Sequence, residues 1–230
     1  MQRISLSGNQ LKIIAAIAMT LDHIGVQLFP DVLWLRLIGR LALPLFAFMI
    51  GEGCRYTKNR SKYLCSIAGL AILCQAGYFV AEGSLYQCIL VTFALSVTVV
   101  YAVDGFMKNK SFLKGVLLLI LITAIVFISE ILPQILVGTD FAIDYGIWGI
   151  MLPVLAYLGK DKVSSIALMS FGLIMLSLDM GSIQWLSLFG IPILMLYGGE
   201  RGKYRMKYFF YIYYPLHLAA IYVISLFINI

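Results

Sequence analysis

The sequence contains few charged residues for its length. Only 12% of its 230 residues are Asp, Glu, Lys or Arg, whereas 62% are hydrophobic. About a quarter of a typical soluble domain is charged, so this chain lacks the polar surface that such a domain needs. Its apolar runs are long and unbroken, which favours helices that satisfy their own backbone hydrogen bonds inside a bilayer. The composition predicts an all-α integral membrane protein in contact with lipid.

Several common functional motifs are also missing. There is no Walker loop, HExxH or GxSxG motif, which disfavours an ATPase, a zinc protease and a serine hydrolase. The four cysteines have no CxxC spacing and are interpreted as packing residues, so we expect no metal site. The net charge of +6 is spread over short segments, which is not typical of nucleic-acid binding.

The apolar runs predict a bundle of nine transmembrane helices forming a single domain over residues 1–230. Roughly 20 helical residues cross the hydrocarbon core of a bilayer, and two of the predicted spans are shorter than that. The nine predicted spans are Leu11–Phe29, Leu33–Glu52, Tyr63–Val80, Gln87–Val103, Phe112–Ile131, Tyr145–Tyr157, Val163–Leu178, Trp185–Tyr197 and Tyr208–Ile230.

The charges between the spans predict an orientation. Lys and Arg residues occur before the first span and in every second connection, beginning with the connection that holds Arg55, Lys58 and Arg60. The other connections contain no Lys or Arg but carry acidic residues. Because basic connections stay in the cytoplasm, we expect a cytoplasmic N-terminus, an extracytoplasmic C-terminus and a location in the cytoplasmic (inner) membrane.

Some ionisable residues fall inside the predicted spans, where charge is costly and usually marks a functional site. Lys12 and His23 are eleven residues apart, which places them on one stripe of the first helix about 16 Å apart. Arg36 and Arg40 are four residues apart on the second span and share a face. By the helical rise, Arg40 lies near the depth of His23.

The last span carries the second histidine of the chain. His217 is near mid-depth, and Tyr211, Tyr214 and His217 follow at intervals of three residues. Tyrosines near a span end are also typical of an interfacial aromatic belt. Two histidines at matching depth, with an arginine beside them, predict a shared polar site.

The residue types at this site are compatible with more than one chemistry. A neutral His23 in a low-dielectric site is a candidate general base, and Arg40 or the tyrosine hydroxyls are candidates to stabilise an oxyanion. Asp22 either supports His23 and Arg40 through its charge or forms a structural ion pair with Arg36 or Arg40. A base with an oxyanion stabiliser fits acyl transfer, and proton-coupled transport uses the same residue types.

Three segments together resemble one known family. They are LKIIAAIAMTLDH at residues 11–23, LIGRLALPLFAF at 37–48 with EGCRYTKN at 52–59, and FFYIYYPLHL at 209–218. They are similar to the TraX family, known for acetylating the N-terminus of conjugative pilin. TraX-like proteins look related to a larger superfamily of membrane acyltransferases, in which a basic residue, ten intervening residues and a catalytic histidine share the first helix. Lys12 and His23 match this spacing, with Lys replacing the commoner Arg.

The resemblance implies an acetyltransferase that takes acetyl-CoA from the cytoplasm, with Arg55, Lys58 and Arg60 meeting its phosphates. Lys12 would guide the pantetheine arm or thioester. His23, with Asp22 and Arg40 in the catalytic group, would serve as base or transient acyl carrier. The acceptor would be an amine or hydroxyl of a peptide, sugar or lipid of the cell envelope. The residues that we assign to it are Arg36, Tyr211, Tyr214 and His217.

Two other functions stay open from the sequence. The first is a proton-coupled transporter or exporter of small molecules that uses Asp22, Arg40 and His23 as a relay. The second is an accessory scaffold of a secretion apparatus, in which the polar residues serve assembly alone. For the basic connection after the second span, the orientation rule already explains the charge without any contact to CoA.

Overall fold

A computed structural model of the chain describes residues 5–204 and 206–228, and for Lys207 it describes the backbone alone. Of these described residues, 79% are helical. The described residues contain no β-strand, and their only β-pairings are two isolated bridges, Leu6 with Tyr197 and Gln87 with Ile143. The prediction of an all-α protein is confirmed.

Eleven α-helices, one π-helical segment and one 3-10 helix make up the described structure. The α-helices are α1 (Gly8–Gln27), α2 (Leu33–Gly39), α3 (Ala42–Tyr56), α4 (Arg60–Glu82), α5 (Ile89–Lys108), α6 (Phe112–Val126), α7 (Leu132–Ile135), α8 (Gly146–Leu158), α9 (Lys162–Met180), α10 (Gly190–Met195) and α11 (Lys207–Ile228). The π-helical segment, Phe127–Ile131, joins α6 to α7, and the 3-10 helix, Ser182–Phe189, leads into α10.

Six helical segments of the described chain are long and apolar enough to cross a membrane. They are Leu33–Tyr56, Arg60–Glu82, Ile89–Lys108, Phe112–Ile135, Lys162–Met180 and Tyr208–Ile228. Gly146–Leu158 and Ser182–Met195 are shorter apolar helices. The protein is therefore a multi-pass membrane protein. Each predicted span overlaps a helix among the described residues, and Ile230, the predicted end of the last span, lies outside them. The count of nine crossings and their orientation stay predictions.

The second predicted span is interrupted, which the sequence analysis did not anticipate. Helix α2 ends at Gly39 and α3 begins at Ala42, so Arg40 and Leu41 lie between two helices. Pro44 explains the interruption, because a proline has no N–H to donate to the carbonyl four residues earlier and its ring clashes with that carbonyl. The residue four positions before Pro44 is Arg40. The break therefore follows from the sequence and leaves Arg40 at a helix end.

Contacts divide the chain into two compact units, of which the first comprises residues 1–49 and 173–230. In this unit α1 packs against α2 and α11. The start of α1 is capped by Ser7, whose hydroxyl accepts from the amide of Gln10. The amides of Gly8 and Asn9 donate to the carbonyls of residues 200 and 201, at 2.7 and 3.0 Å. These bonds satisfy amides that a helix N-terminus leaves without intrahelical partners.

The second unit comprises residues 50–172, and α5 packs there against α4, α6 and α8. The hydroxyl of Ser96 donates to the carbonyl of Ile150 at 2.7 Å, which joins α5 to α8. Glu130, in the π-helical segment, accepts from the amide of Ile147 at 2.8 Å. A carboxylate beside the first turn of α8 is favoured by the helix dipole. The prediction of one domain over the whole chain stays a prediction.

Candidate functional site

The first unit brings Asp22 of α1 into contact with both arginines of the second predicted span. A Cβ atom at Gly39 would overlap the Asp22 side chain, so the glycine permits this close approach. Arg40 Nη2 donates to the two carboxylate oxygens of Asp22 at 2.7 and 2.5 Å. Arg36 Nε lies 3.1 Å from the same carboxylate. The ion pair that the sequence left as an alternative is thus present with both arginines.

Arg40 also contacts a residue that the sequence analysis did not single out. Its Nη1 donates to Oε1 of Gln184, in the 3-10 helix, at 3.3 Å. The side chains of Arg40 and Asp22 are only 9% and 14% exposed, whereas Arg36 is 32% exposed. Arg40 is therefore the buried member of the arginine pair.

The two histidines of the chain meet directly. Nδ1 of His23 lies 2.9 Å from Nε2 of His217, and Nδ1 of His217 lies 2.9 Å from the carbonyl oxygen of Tyr213. A carbonyl oxygen only accepts, so Nδ1 of His217 carries a proton. When both rings are neutral, Nε2 of His217 accepts from Nδ1–H of His23. This assignment follows from the hydrogen-bond network, and it leaves Nε2 of His23 with an unused lone pair.

A column of aromatic rings continues from this histidine pair along α11. The rings of Phe209, Tyr213 and His217 stack in succession at four-residue spacing, and His217 stacks on His23. The hydroxyls of Tyr213 and Thr20 lie 2.6 Å apart. Tyr213 thus supports the histidine pair through its backbone, ring and hydroxyl.

Tyr214, one of the two tyrosines predicted beside His217, contacts its ring. Tyr214 is buried and meets the His217 ring edge-on, with centroids 5.5 Å apart. Tyr211 is half-buried on the same helix. Tyr213 is the tyrosine that the sequence analysis missed. The signal was its position four residues before His217, which places the two on one helix face.

Lys12 lies nearer the other end of α1. Its ammonium is 5.9 Å from the centroid of the Phe210 ring, within the range of a cation–π contact. Arg201 lies at the same end of α1 as Lys12. The backbone explains this proximity, because the amide of Asn9, one turn before Lys12, donates to the Arg201 carbonyl at 3.0 Å. Lys12 and Arg201 form a pair of neighbouring cations.

Two of the three basic residues predicted to meet CoA phosphates have structural partners in the second unit. Arg55 pairs with Glu52 at 3.0 Å, and its Nη2 donates to Ser165 and to three carbonyls at the end of α8. Arg60 pairs with Asp104 at 2.6 Å. Lys58, in the connection between α3 and α4, forms no ion pair with any of the described residues. Their roles toward CoA stay predictions.

Within the described residues, no group of three or more His, Cys, Asp or Glu side chains is placed to hold a metal ion. The prediction that no metal takes part is untested.

The sequence model described as "TraX protein" matches residues 7–225, nearly the whole chain. The chain belongs to the TraX family. It is 29% identical to "Probable fimbrial assembly protein FimC, serogroup H1" of Dichelobacter nodosus, over 96% of each chain. It is 27% identical to "Protein TraX" of Escherichia coli, over 94% of this chain and 86% of that protein. No solved structure gives a significant match.

The TraX family membership agrees with the resemblance inferred from three short segments. The match is not confined to those segments and includes the helices between them. The family is one of membrane proteins related to pili and fimbriae.

Proposed function

We propose that this TraX-family protein is a membrane-bound acyltransferase that transfers an acetyl group from acetyl-CoA to an amine or hydroxyl of a pilin or another cell-envelope acceptor. The observation that carries the proposal is the hydrogen-bonded chain from His23 through His217 to the Tyr213 carbonyl. We place the protein in the cytoplasmic membrane with nine helical spans, a cytoplasmic N-terminus and an extracytoplasmic C-terminus.

The histidine pair supports a general base at His23. The chain of hydrogen bonds holds the His23 proton on Nδ1 and directs the lone pair on Nε2 away from His217. Nε2 of His23 takes the proton of the acceptor amine or hydroxyl, while the nitrogen or oxygen of the acceptor bonds to the acetyl carbon. The carbon–sulfur bond breaks, and the CoA thiolate leaves and takes up the proton from His23. His217 acts here as a positioning residue.

The cluster of Asp22 with two arginines supports charge stabilisation near this base. Asp22 is the sequence neighbour of His23, and Arg40 is fixed by Asp22 and Gln184. A guanidinium held in this way needs little reorganisation when negative charge develops on the thioester oxygen. Arg36, the more exposed arginine, is assigned to the acceptor, as are Tyr211 and Tyr214.

The neighbouring cations Lys12 and Arg201 fit the phosphates of acetyl-CoA. Neither has a carboxylate within ion-pair distance among the described residues. Lys12 and His23 are both on α1. An acetyl-CoA molecule bound at Lys12 is therefore on the same helix as the proposed base. We therefore propose that Lys12 and Arg201 contact the phosphates, and the roles of Arg55, Lys58 and Arg60 toward CoA stay predictions.

The test is transfer of labelled acetyl from acetyl-CoA by the purified protein, compared between wild type and His23→Ala. Loss of a positioned acid–base group costs about 10²–10⁴-fold in rate, and we expect a loss in that range with an unchanged melting temperature. Ile17→Ala, at an exposed position of the same helix, is the matched control and should keep full activity. Near-normal transfer by a folded His23→Ala protein contradicts the proposal. Flux across vesicles without acetyl transfer would instead indicate the transporter.

A further inference from the structure

The residues that follow α10 lie along the start of α1. The amide of Gly198 donates to the carbonyl of Leu6 at 2.9 Å. Further along, the side-chain amide of Asn9 donates to the carbonyl of Tyr204 at 2.6 Å. Together with the bonds to the carbonyls of residues 200 and 201 described above, these contacts fix residues 198–204 against the N-terminus of α1.

Gly202 permits the close approach of this segment to α1. Its φ of +99° lies in the left-handed region, which residues with a side chain rarely adopt. A Cβ atom at this position would lie 3.0 Å from Oγ of Ser7, the residue that caps α1. The backbone of the segment is therefore held against the helix, while the side chains of Arg201, Lys203 and Tyr204 are exposed.

Two of these exposed side chains combine a cation with an aromatic ring. Nζ of Lys203 lies 5.8 Å from the centroid of the Tyr204 ring, within the range of a cation–π contact. The tyrosine is 69% exposed, so a second flat ring has access to it. Aromatic side chains stack on nucleobases of every kind, and cations bind the phosphates attached to them. A ring with a cation beside it therefore fits a nucleotide that carries a phosphate close to its base.

The length of acetyl-CoA matches the distance along α1. Lys12 and His23 are about 16 Å apart by the helical rise. In acetyl-CoA about 13 covalent bonds separate the thioester sulfur from the nearest phosphorus, and an extended chain of that length reaches about 15 Å. With the thioester at His23, the diphosphate therefore lies at the level of Lys12. The adenosine is attached beyond the diphosphate, which directs it to the start of α1 and to residues 198–204.

We propose that residues 198–204 bind the adenosine end of acetyl-CoA, with the adenine stacked on Tyr204 and the ribose phosphate beside Lys203. The inference rests on the proposed acyl transfer. It adds two side chains that recognise the nucleotide to the diphosphate contacts proposed for Lys12 and Arg201. All of these residues belong to the first unit of the chain. The donor is thus recognised by the segment after α10 together with α1, the helix that carries the base.

The first experiment measures the KM for acetyl-CoA in the transfer of labelled acetyl. Tyr204→Ala should raise this KM by about 5-fold or more, since loss of a stacked aromatic ring commonly costs at least that much affinity. Tyr204→Phe keeps the ring and should keep the KM. Tyr56→Ala is the matched control, because Tyr56 is 68% exposed and also lies beside basic residues. Equal effects of the two alanine variants would indicate a general role of tyrosines at the membrane surface and overturn the inference.

The second experiment compares acetyl-CoA with acetyl-dephospho-CoA, which lacks only the ribose phosphate. For the wild type we expect the dephosphorylated donor to have a KM about 3- to 5-fold higher, the upper range for an exposed ion pair. In Lys203→Gln the two donors should have nearly equal KM values. Lys160→Gln, at an exposed lysine between α8 and α9, is the control and should keep the wild-type difference. A Lys203→Gln protein that also keeps this difference would contradict the inference.

Binding of a nucleotide alone separates this inference from the proposed function. Adenosine 3′,5′-bisphosphate should raise the melting temperature of wild type but not of Tyr204→Ala, because a ligand that binds the folded state stabilises it. If this shift is present and no acetyl is transferred, the acyltransferase proposal fails and the nucleotide site stands. If acetyl is transferred while neither Tyr204→Ala nor Lys203→Gln changes KM or the shift, the nucleotide site is wrong and the function stands. If phosphatidylglycerol vesicles, and not the nucleotide, stabilise wild type over both variants, these side chains bind lipid headgroups and the inference is overturned.

Discussion

The imidazole rings of His23 and His217 are stacked with their centroids 5.1 Å apart, and Nδ1 of His23 lies 2.9 Å from Nε2 of His217. The two residues are 194 positions apart in the chain. Since the Tyr213 carbonyl fixes the proton of His217 on Nδ1, the pair selects one tautomer of each ring. A base that is held in the correct tautomer has its lone pair directed at the substrate.

We predict that His217→Phe lowers kcat by at least about 10-fold, because a misplaced base tautomer costs up to about 10⁴-fold in a comparable dyad. The KM for acetyl-CoA should stay near the wild-type value. His217→Gln should recover part of the activity, since its amide oxygen accepts from Nδ1–H of His23. Leu216→Ala, at an exposed position of the same helix, is the control. Equal activity of the Phe and Gln variants would contradict a positioning role.

The ionisable residues of the candidate site were predictable from the sequence. Asp22, His23 and Arg40 are ionisable residues in apolar spans, and the cost of burying charge marks them as members of a polar site. The break at Arg40 was not predicted, although Pro44 gives a physical reason for it. The helices themselves follow from the apolar runs, because an unpaired backbone is not tolerated in hydrocarbon.

The partners that the sequence did not reveal are neutral or belong to the backbone. Gln184, which binds Arg40, carries no charge and lies in an apolar segment, so its residue type does not mark it as a site residue. The Tyr213 acceptor is a backbone carbonyl, a group that every residue has, so only the fold shows that it faces His217. The same is true of the carbonyls that bind Arg55. Such contacts depend on which helix ends meet, which hydrophobic patterning does not determine.

The second prediction separates structure from phosphate binding at the basic connection after α3. Arg55 Nη2 donates to the carbonyls of Ala156, Tyr157 and Gly159 at 3.2, 2.9 and 2.8 Å. A lysine cannot reproduce this fork of donors, so Arg55→Lys should lower the free energy of unfolding by about 2 kcal/mol. The KM for acetyl-CoA of the folded variant should not change.

The companion variant is Lys58→Ala, which has no ion pair to lose among the described residues. It should leave the melting temperature unchanged, and a raised KM for acetyl-CoA would support its predicted contact with phosphate. The measurements are chemical denaturation and initial rates at varied acetyl-CoA. Arg55→Lys with wild-type stability and a raised KM would show that Arg55 binds the donor instead.

The third prediction concerns orientation. Every second connection between the predicted spans is basic and the others contain no Lys or Arg, so nine crossings place the C-terminus outside. Alkaline phosphatase fused after Ile230 should be active, and a fluorescent protein that matures only in the cytoplasm should stay dark there. Fusions after Lys110, in a basic connection, provide the matched control with the opposite pattern. A fluorescent C-terminal fusion would refute an odd number of crossings.

The last prediction concerns Asp22, whose one carboxylate serves two arginines. Removing one member of a buried ion pair costs about 3–5 kcal/mol, because the other charge is left in a low-dielectric setting. Asp22→Asn leaves both Arg36 and Arg40 without this carboxylate, whereas Arg40→Gln leaves Asp22 paired with Arg36 at 3.1 Å. We therefore expect Asp22→Asn to lower stability more than Arg40→Gln does.

The double variant Asp22→Asn, Arg40→Gln decides what Arg40 does beyond this pairing. It should regain much of the stability that Asp22→Asn loses, since the most buried unpaired charge is gone. If Arg40 also stabilises the thioester oxyanion, the double variant folds but stays inactive, because a neutral side chain cannot replace a preorganised cation. We expect a double variant that folds but is inactive. The measurement is a double-mutant cycle that follows both the melting temperature and acetyl transfer. Substantial recovery of transfer in the double variant would show that Arg40 holds the helices together and takes no part in the reaction.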